Sequence, residues 1–478
     1  MAEKVTNSKA ESSASKKEFR IEHDYLGKVE VPIDSYWGAQ TQRAIINFPI
    51  SGLKPFKEFT MAIISVKRAA AEANMKAGLL NEKKAKAIIH AADEILEGKL
   101  ANQFVVDVYQ AGAGTSNNMN ANEVLANRAI ELLGGKIGDY SLIHPNDDVN
   151  MGQSTNDVIP TSIRIACAWL TKELIDALEL LRNEFDRKSQ EFDGIVKSGR
   201  THLMDAAPIR LGQEFKAWAL TLKKHMDQLK ATIKSLLEVN IGATAVGTGL
   251  NANPKYVVEV IKILCRITKL DLKGAENLPQ ATQSVTDFLM LSSVLRGLSA
   301  DLVKIMNDIR LMNSGPITGF GEIQLPAVQP GSSIMPGKVN PSMAEMLTMV
   351  CFQEIGDDTA ISLSSQAGQL ELNVMTPLIN FCLLRDLIIL RNAILAFTDK
   401  AAKGIIANKD RMRELLEKTP GVGLVLNPYI GYEKSAEVVK RAIAENKSVK
   451  DVVKEMGLLS DKQIESIFDP HNLAPEKN

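Results

Sequence analysis

The sequence predicts a mainly α protein built on a bundle of long helices. Two observations lead there. No proline falls between Pro160 and Pro208, from Ile209 to Asn253, from Gln280 to Gly315, or from Ser342 to Thr376. Each of these stretches carries apolar residues at helical spacing, with almost no strand-like alternation between them. In the third, Phe288, Leu291, Leu295, Leu298, Leu302 and Ile305 fall near one stripe. A continuous helix over that stretch would be about 54 Å long. Helices of such length seldom bury all their apolar surface within one small domain, so association of bundles is expected.

The segments follow in order. Residues 1–18, MAEKVTNSKAESSASKKE, are polar and rich in Lys, Ser and Ala, and read as a disordered tail. The tail lacks an apolar signal core, has no Arg before Arg20 and contains Glu3 and Glu11, unlike a secretory or mitochondrial leader. Residues 19–154 read as an N-terminal domain with short segments, two helix-like stretches and Gly-rich turns. Residues 155–409 hold the long-helix bundle. Residues 410–478 read as a small helical C-terminal domain. There, Ser448 with Asp451 and Ser460 with Gln463 have capping-box spacing, and Gly457 can end the first of those helices.

Composition narrows the function. The 478 residues are 45% hydrophobic and 24% charged, with 56 basic against 57 acidic side chains. Such a balance points to neither nucleic acid nor an anionic membrane as a partner. No apolar run reaches membrane-spanning length. The four cysteines, Cys167, Cys265, Cys351 and Cys382, are far apart and form no CxxC or Cys/His cluster. A disulfide framework or zinc site is not expected, and a reducing, cytoplasmic compartment fits.

Three polar islands interrupt the helices. The first combines GAGTSNNMNANEVLANR (Gly112–Arg128) with HPNDDVNMGQSTND (His144–Asp157). The second is GRTHLMDAAP (Gly199–Pro208), and the third is GSSIMPGKVNP (Gly331–Pro341). They are dense in neutral donors: Thr115, Ser116, Asn117, Asn118, Ser154, Thr155, Asn156 and Thr201. Hydroxyls and amides at that density suit a bound anion, because each gives a hydrogen bond to a carboxylate oxygen. Lys338 and His202 add positive charge, which strengthens such bonds. Taken singly, each residue is more simply a helix cap or turn former, and Asn340 before Pro341 reads as an N-cap. Other chemistries fit less well. The six histidines show no HxxxH or HxH spacing, no GxSxG surrounds a serine, and no GxxxxGK[ST] occurs. Ser332 has no histidine near it in sequence. Backbone N–H groups of its Gly-rich turn, Lys338 and a following helix N-terminus are the groups available to stabilise an alkoxide there.

GSSIMPGKVNP resembles the signature loop of the fumarase/aspartase superfamily. So do GTSNNMNANEVLANRA, QSTND, GRTHLMDAAPIRLGQE, GATAVGTGLNANPKY and GQLELNVMTPLI, in family order. The resemblance implies a three-domain fold and a homotetramer with a twenty-helix core, each active site shared by three chains. It implies reversible elimination across a Cα–Cβ bond, releasing fumarate. GAGTSNNMN and QSTND lean to the aspartase branch, with L-aspartate as substrate and ammonium as co-product, whereas HPNDDVN looks more like a fumarase. In many fumarases that motif belongs to a second carboxylate site outside the active site. By resemblance Thr115, Ser154, Thr155 and Ser333 surround the β-carboxylate, and Lys338, Asn340 and Thr201 hold the α-carboxylate. His202 and Asn156 lie near the amino group, Met335 lines the substrate, and Ser332 is the catalytic base. His202 and Lys338 are grouped with Ser332 as catalytic. No cofactor is required, and activation by a divalent cation is left open. Fumarate hydratase is the alternative enzyme, and a non-catalytic, crystallin-like protein on the same fold the remote one. Retention of Ser332, Lys338, Asn340, Thr201 and His202 together speaks against the latter.

Overall fold

A computed structural model describes residues 18–475. The tail expected over residues 1–18 lies, but for Glu18, outside the described residues. The chain opens with a hairpin of β1 (Phe19–Asp24) and β2 (Gly27–Pro32). Helices α1 (Ala39–Asn47), α2 (Lys57–Lys76), α3 (Glu82–Leu96), α4 (Thr115–Leu132) and α5 (Thr155–Glu191) follow. A second antiparallel hairpin, β3 (Val196–Thr201) and β4 (Met204–Arg210), precedes α6 (Leu211–Leu236). Then come α7 (Pro254–Thr268), α8 (Leu278–Gln283), α9 (Thr286–Met312), α10 (Ser342–Gln366) and α11 (Thr376–Lys400). The C-terminal region holds α12 (Lys409–Lys418), α13 (Asn427–Glu445), α14 (Val449–Glu455), α15 (Asp461–Ile467) and a last turn of helix, Pro470–Leu473. Every sheet among the described residues has only two strands, so the expectation of a mainly α fold holds.

Two compact units divide the chain. The first takes the residues through Ala166, Leu237–Val285 and Ser364–Phe381. In it α2 packs against α3 and α7, and α3 against α4. The alanines of α2 allow close approach: Ala62, Ala69, Ala70 and Ala73 are fully buried. Between Asn118 and Asn127 helix α4 is buried although it is polar, because its side chains serve other segments. Asn120 Nδ2 donates to Gln103 O (3.0 Å), and Asn127 Nδ2 to Tyr36 O (2.8 Å). The Glu123 carboxylate accepts the N–H groups of Gly38 (2.8 Å), Gln40 (2.9 Å) and Thr41 (3.1 Å) at the start of α1. It thereby replaces the side-chain cap that Gly38 lacks.

The second unit takes Cys167–Leu236, Thr286–Leu363 and the residues from Cys382 onward. Here α6 packs on α9. The stripe from Phe288 to Ile305 is buried as its spacing predicts, and continues to Ile309. The helix stops at Met312, short of the full proline-free stretch. The small C-terminal helices close over Leu416, Leu426, Val438, Val452, Val453 and Ile464. Ser448 caps α14, and Ser460 with Gln463 forms a complete capping box on α15. Gly457 takes a φ of +61° just past α14. Strand β3 packs on α12, and β4 on the 3₁₀ turn Pro420–Leu426. A Cβ on Gly421 would lie 2.0 Å from Ala206 O, so only glycine fits there. The β3–β4 hairpin escapes a reading by alternation because its inward positions include Lys197, Ser198 and Arg210, all buried. Several large apolar side chains on the long helices still face outward, among them Met290, Met349 and Phe352.

Candidate active site

In the first unit two helix N-termini carry the donor-rich residues. Ala113 and Gly114 both take left-handed backbone conformations (φ +62° and +84°) and turn the chain into α4 at Thr115. Ala113 N–H donates to Val374 O (2.8 Å) and fixes that turn. Thr115 itself is exposed on the first turn of α4. Helix α5 begins at Thr155 behind a reciprocal cap: Ser154 Oγ accepts Asn156 N–H (3.1 Å), and Asp157 Oδ1 accepts Ser154 N–H (3.0 Å). The other oxygen of Asp157 accepts the N–H groups of Gly242 (3.1 Å) and Thr244 (2.9 Å), anchoring the GATAVGTG loop. Burial pushes the Asp157 carboxyl up to about 6 against those bonds. Orphan N–H groups at such helix starts favour anions.

Asn156 owes its setting to a proline. Pro160 lies inside α5 and has no N–H to give to the Asn156 carbonyl one turn back. Asn240 Nδ2 donates to that carbonyl instead (3.0 Å), while Asn156 Nδ2 donates to Ala245 O (2.7 Å). Behind Thr155 runs a polar chain. Asn118, one turn along α4 from Thr115, donates from Nδ2 to Thr155 Oγ1 (3.1 Å) and to Asn150 Oδ1 (3.2 Å). Asn150 Oδ1 also accepts from Asn122 Nδ2 (3.2 Å) and Lys67 Nζ (2.8 Å), and Gln153 Oε1 takes a further Lys67 bond (2.9 Å). Lys67 is wholly buried, and burial pushes its ammonium down to about 7. The sequence reading assigned nothing to Lys67, Asn150, Gln153 or Asn240. A lysine within the apolar run AIISVKRAAA is the signal for Lys67, while Asn150 and Gln153 lie in the first polar island without a role of their own.

In the second unit Thr201 ends β3, and His202 with Leu203 forms the two-residue turn to β4. Both turn residues have positive φ (56° and 61°), the signature of a primed hairpin turn normally left to Asn and Gly. The turn holds His202 and Thr201 out from the surface. Its base is clamped: the buried Glu322 carboxylate meets Lys197 Nζ (3.0 Å) and Arg200 Nη1 (2.9 Å). The Arg200 guanidinium also lies over the Phe320 ring at 4.2 Å.

The GSSIMPGKVNP loop lies in the same unit and is closed at its neck. Gly331 N–H donates to Lys338 O (2.7 Å), and Asn340 Nδ2 donates to Gly331 O (2.7 Å). Asn340 is therefore a neck clasp and not the N-cap its position suggested. The Pro341 carbonyl accepts the Ala344 and Glu345 N–H groups (3.0 and 3.1 Å) at the start of α10. A Cβ on Gly331 would lie 2.5 Å from Lys338 O, so the neck requires glycine. Within the loop Ser332 Oγ accepts two backbone N–H groups, from Ile334 (3.2 Å) and Met335 (2.9 Å). Ser333, Met335 and Lys338 are exposed along the loop. Lys338 and Asn340 also line a cleft of about 1210 Å³ with Asn307, Arg310 and Glu345. Thr115, Ser154, Thr155 and Asn156 thus belong to the first unit, and Thr201, His202, Ser332, Ser333, Met335, Lys338 and Asn340 to the second.

A family model described as lyase matches residues 27–356, and one described as fumarase C C-terminus matches residues 425–475. Aspartate ammonia-lyase of Bacillus subtilis is 49% identical over 458 residues, covering 96% of this chain and 96% of that protein. The chain belongs to the fumarase/aspartase superfamily. Aspartate ammonia-lyase of Escherichia coli is 46% identical over 95% of this chain and 96% of its own. Among solved structures, a fumarate lyase:delta crystallin from Brucella melitensis bound to cobalt matches with a TM-score of 0.93 at 44% identity, covering 96% and 100% of the two chains. A class II fumarase from Schistosoma mansoni matches with a TM-score of 0.91 at 35% identity, again over 96% and 100%.

Within this superfamily HPNDDVN was the motif that leaned toward fumarases. Here its ring caps a single π-helical turn, Pro145–Val149, with His144 Nδ1 accepting Asn146 and Asp147 N–H groups (both 3.2 Å). Asp148 is held by Lys84 (2.7 Å) and by His144 N–H (2.8 Å). Among the described residues no group of three His, Cys, Asp or Glu side chains is arranged to hold a metal ion, and no helix is long and apolar enough to cross a membrane. All four cysteines are free thiols.

Proposed function

We propose that this superfamily member catalyses the reversible deamination of L-aspartate to fumarate and ammonium, with Ser332 as the base. The paired N–H groups on Ser332 Oγ carry the mechanistic reading. Charge-assisted bonds from Ile334 and Met335 stabilise a serine alkoxide, which is otherwise far too basic to form near neutral pH. The choice of substrate rests on relatives named aspartate ammonia-lyase, 42–49% identical over nearly the whole chain.

The reaction proceeds from a weak carbon acid. The Ser332 alkoxide takes the Cβ proton, and the electron pair moves into the adjacent β-carboxylate as a dianionic aci-carboxylate. Thr115, Ser154, Thr155 and Ser333 surround that group, and preorganised donors favour the dianion over the substrate carboxylate. The pair then returns to form the double bond as the C–N bond breaks. The amine leaves as neutral ammonia and takes up the proton released from Ser332 through solvent. Lys338, Asn340 and Thr201 hold the α-carboxylate, Met335 lines the substrate, and His202 and Asn156 face the amino group. Lys338 and His202 share the catalytic work by fixing charge beside the breaking bonds. A protonated amine is already a competent leaving group, so the elimination itself needs no cofactor.

The loop closes as a lid hinged on Gly331 and Gly337. Different copies of the chain, in a homotetramer, supply the three islands. The exposed Leu203, Met204 and Ile334 beside the proposed site residues support burial by association. The chain works in the cytoplasm.

The test is fumarate absorbance with purified protein on L-aspartate and on L-malate in parallel, with and without a chelator. Fumarate from aspartate, driven back by ammonium, is the expected result; fumarate from malate alone overturns it. Ser332→Ala is expected to lower kcat by at least about a thousand-fold while the assembly persists. Near-normal turnover in that variant would remove Ser332 from the role of base.

A further inference from the structure

We infer that Asn118 is a positioning residue that keeps the Thr155 hydroxyl hydrogen turned outward, toward the substrate carboxylate; this rests on Thr155 being a carboxylate ligand. Lys67 stands at the inner end of the polar chain. Charged or neutral, its amine has hydrogens for both neighbours, and the Gln153 amide is turned by Nε2 donating to Val149 O (3.0 Å) and Met151 O (3.2 Å). Asn150 and Gln153 turn their oxygens to it, at 2.8 and 2.9 Å. Asn150 Nδ2 is then left to donate to Gln153 O (3.2 Å), which agrees with that orientation. Because Asn150 shows an oxygen, the neighbouring Asn118 must show its NH₂ to it (3.2 Å). The second hydrogen of that NH₂ reaches Thr155 Oγ1 at 3.1 Å.

The consequence falls on Thr155. Its oxygen accepts a bond from behind, so its hydrogen cannot turn back toward Asn118 and is free to point out at the mouth of α5. Among the described residues Asn118 Oδ1 accepts no bond although it is buried, so the side chain's two bonds are the two it donates. A buried amide kept with an idle acceptor has its donor end as the useful one. Donor polarity thus passes from Lys67 through Asn150 and Asn118 to the hydroxyl. A hydroxyl fixed as a donor has no reorganisation to undergo when charge accumulates on the β-carboxylate.

The test is a double-mutant cycle of Asn118→Leu and Thr155→Val, read as kcat/KM for L-aspartate and as the inhibition constant of succinate, a dicarboxylate with no amine to lose. Thr155→Val is expected to weaken succinate about tenfold and kcat/KM about a hundredfold. Asn118→Leu alone is expected to weaken succinate roughly five- to tenfold, but to change neither quantity more than twofold when Thr155 is already Val. An equal loss from Asn118→Leu in both backgrounds, or none in the wild type, overturns the inference. An unchanged succinate constant in Thr155→Val instead overturns the carboxylate reading itself. Asn118→Asp keeps the shape and replaces the donor with an acceptor, and serves if the leucine variant does not fold. It should turn the Thr155 hydrogen inward and weaken succinate more than tenfold, and wild-type succinate binding in it would refute the proposal.

Discussion

Glu354 offers a test of the electrostatics inside the helix bundle. It lies fully buried in α10, with Asp357 and Asp358 further along the same helix and Ser299 and Arg296 on α9. Burial pushes its carboxyl from an ordinary 4.5 up to about 8, and the two aspartates push in the same direction. The folded chain therefore holds a proton that the unfolded chain gives up near pH 4.5. Between that pH and about 8 the native state binds more protons than the unfolded state, so stability falls as pH rises, by up to about 1.4 kcal/mol per unit. Over the whole window the loss is on the order of 5 kcal/mol. Glu354→Gln has the same shape and does not titrate. For a chain of this length roughly 1 kcal/mol moves Tm by about 1 °C. The variant should melt with the wild type at pH 5, gain roughly 5 °C by pH 8, and keep that lead at pH 9. Circular-dichroism melts at constant ionic strength measure this. A difference that does not vary with pH would refute the reasoning, as would a variant less stable than the wild type at pH 9.

Two further predictions concern the supports of the site. Glu322→Gln leaves Arg200 without its buried counter-charge and Lys197 with Glu214 (3.1 Å) as its remaining carboxylate, and should cost roughly 3 kcal/mol. A lower Tm together with a raised KM for aspartate would show that the clamp holds the His202 turn, whereas an unchanged Tm would count against it. Asn240→Ala strips the Asn156 carbonyl of its donor beside Pro160 and should cost about 1–3 kcal/mol in urea unfolding. Pro160→Ala restores the helical N–H and should recover part of that loss, which a merely cavity-forming effect would not allow.

The long helices were legible because their signal is local. Missing prolines, the Phe288–Ile305 stripe and the Ser448 and Ser460 caps each lie within a few turns of chain, and the structure has them as read. The β3–β4 hairpin was not legible, since its buried faces are filled by a lysine, an arginine and a serine whose partners lie elsewhere. Asn340 illustrates the same limit at one residue. Its place before a proline suggested a cap, but a carbonyl nine residues away takes its amide. The donor islands stood out by composition. What lies behind them did not, because Lys67 and Asn150 are 83 residues apart and meet only through the packing of α2. A neutral amide in sequence does not reveal which of its two ends faces a neighbour. That becomes clear only once its neighbours are placed beside it.

The two N–H groups on Ser332 have a consequence for the direction of flow. They occupy the oxygen's lone pairs, so when the serine is protonated its hydrogen has to point away from the loop backbone. In the reaction proposed above, a serine that accepts a proton from carbon on the outward path would thus already be aimed to return one when ammonia adds to the double bond. Neither direction requires a different rotamer or a second acid. Such a catalyst favours no side of the reaction: ammonium, as a reactant on one side only, decides whether nitrogen is released from an amino acid or fixed into one.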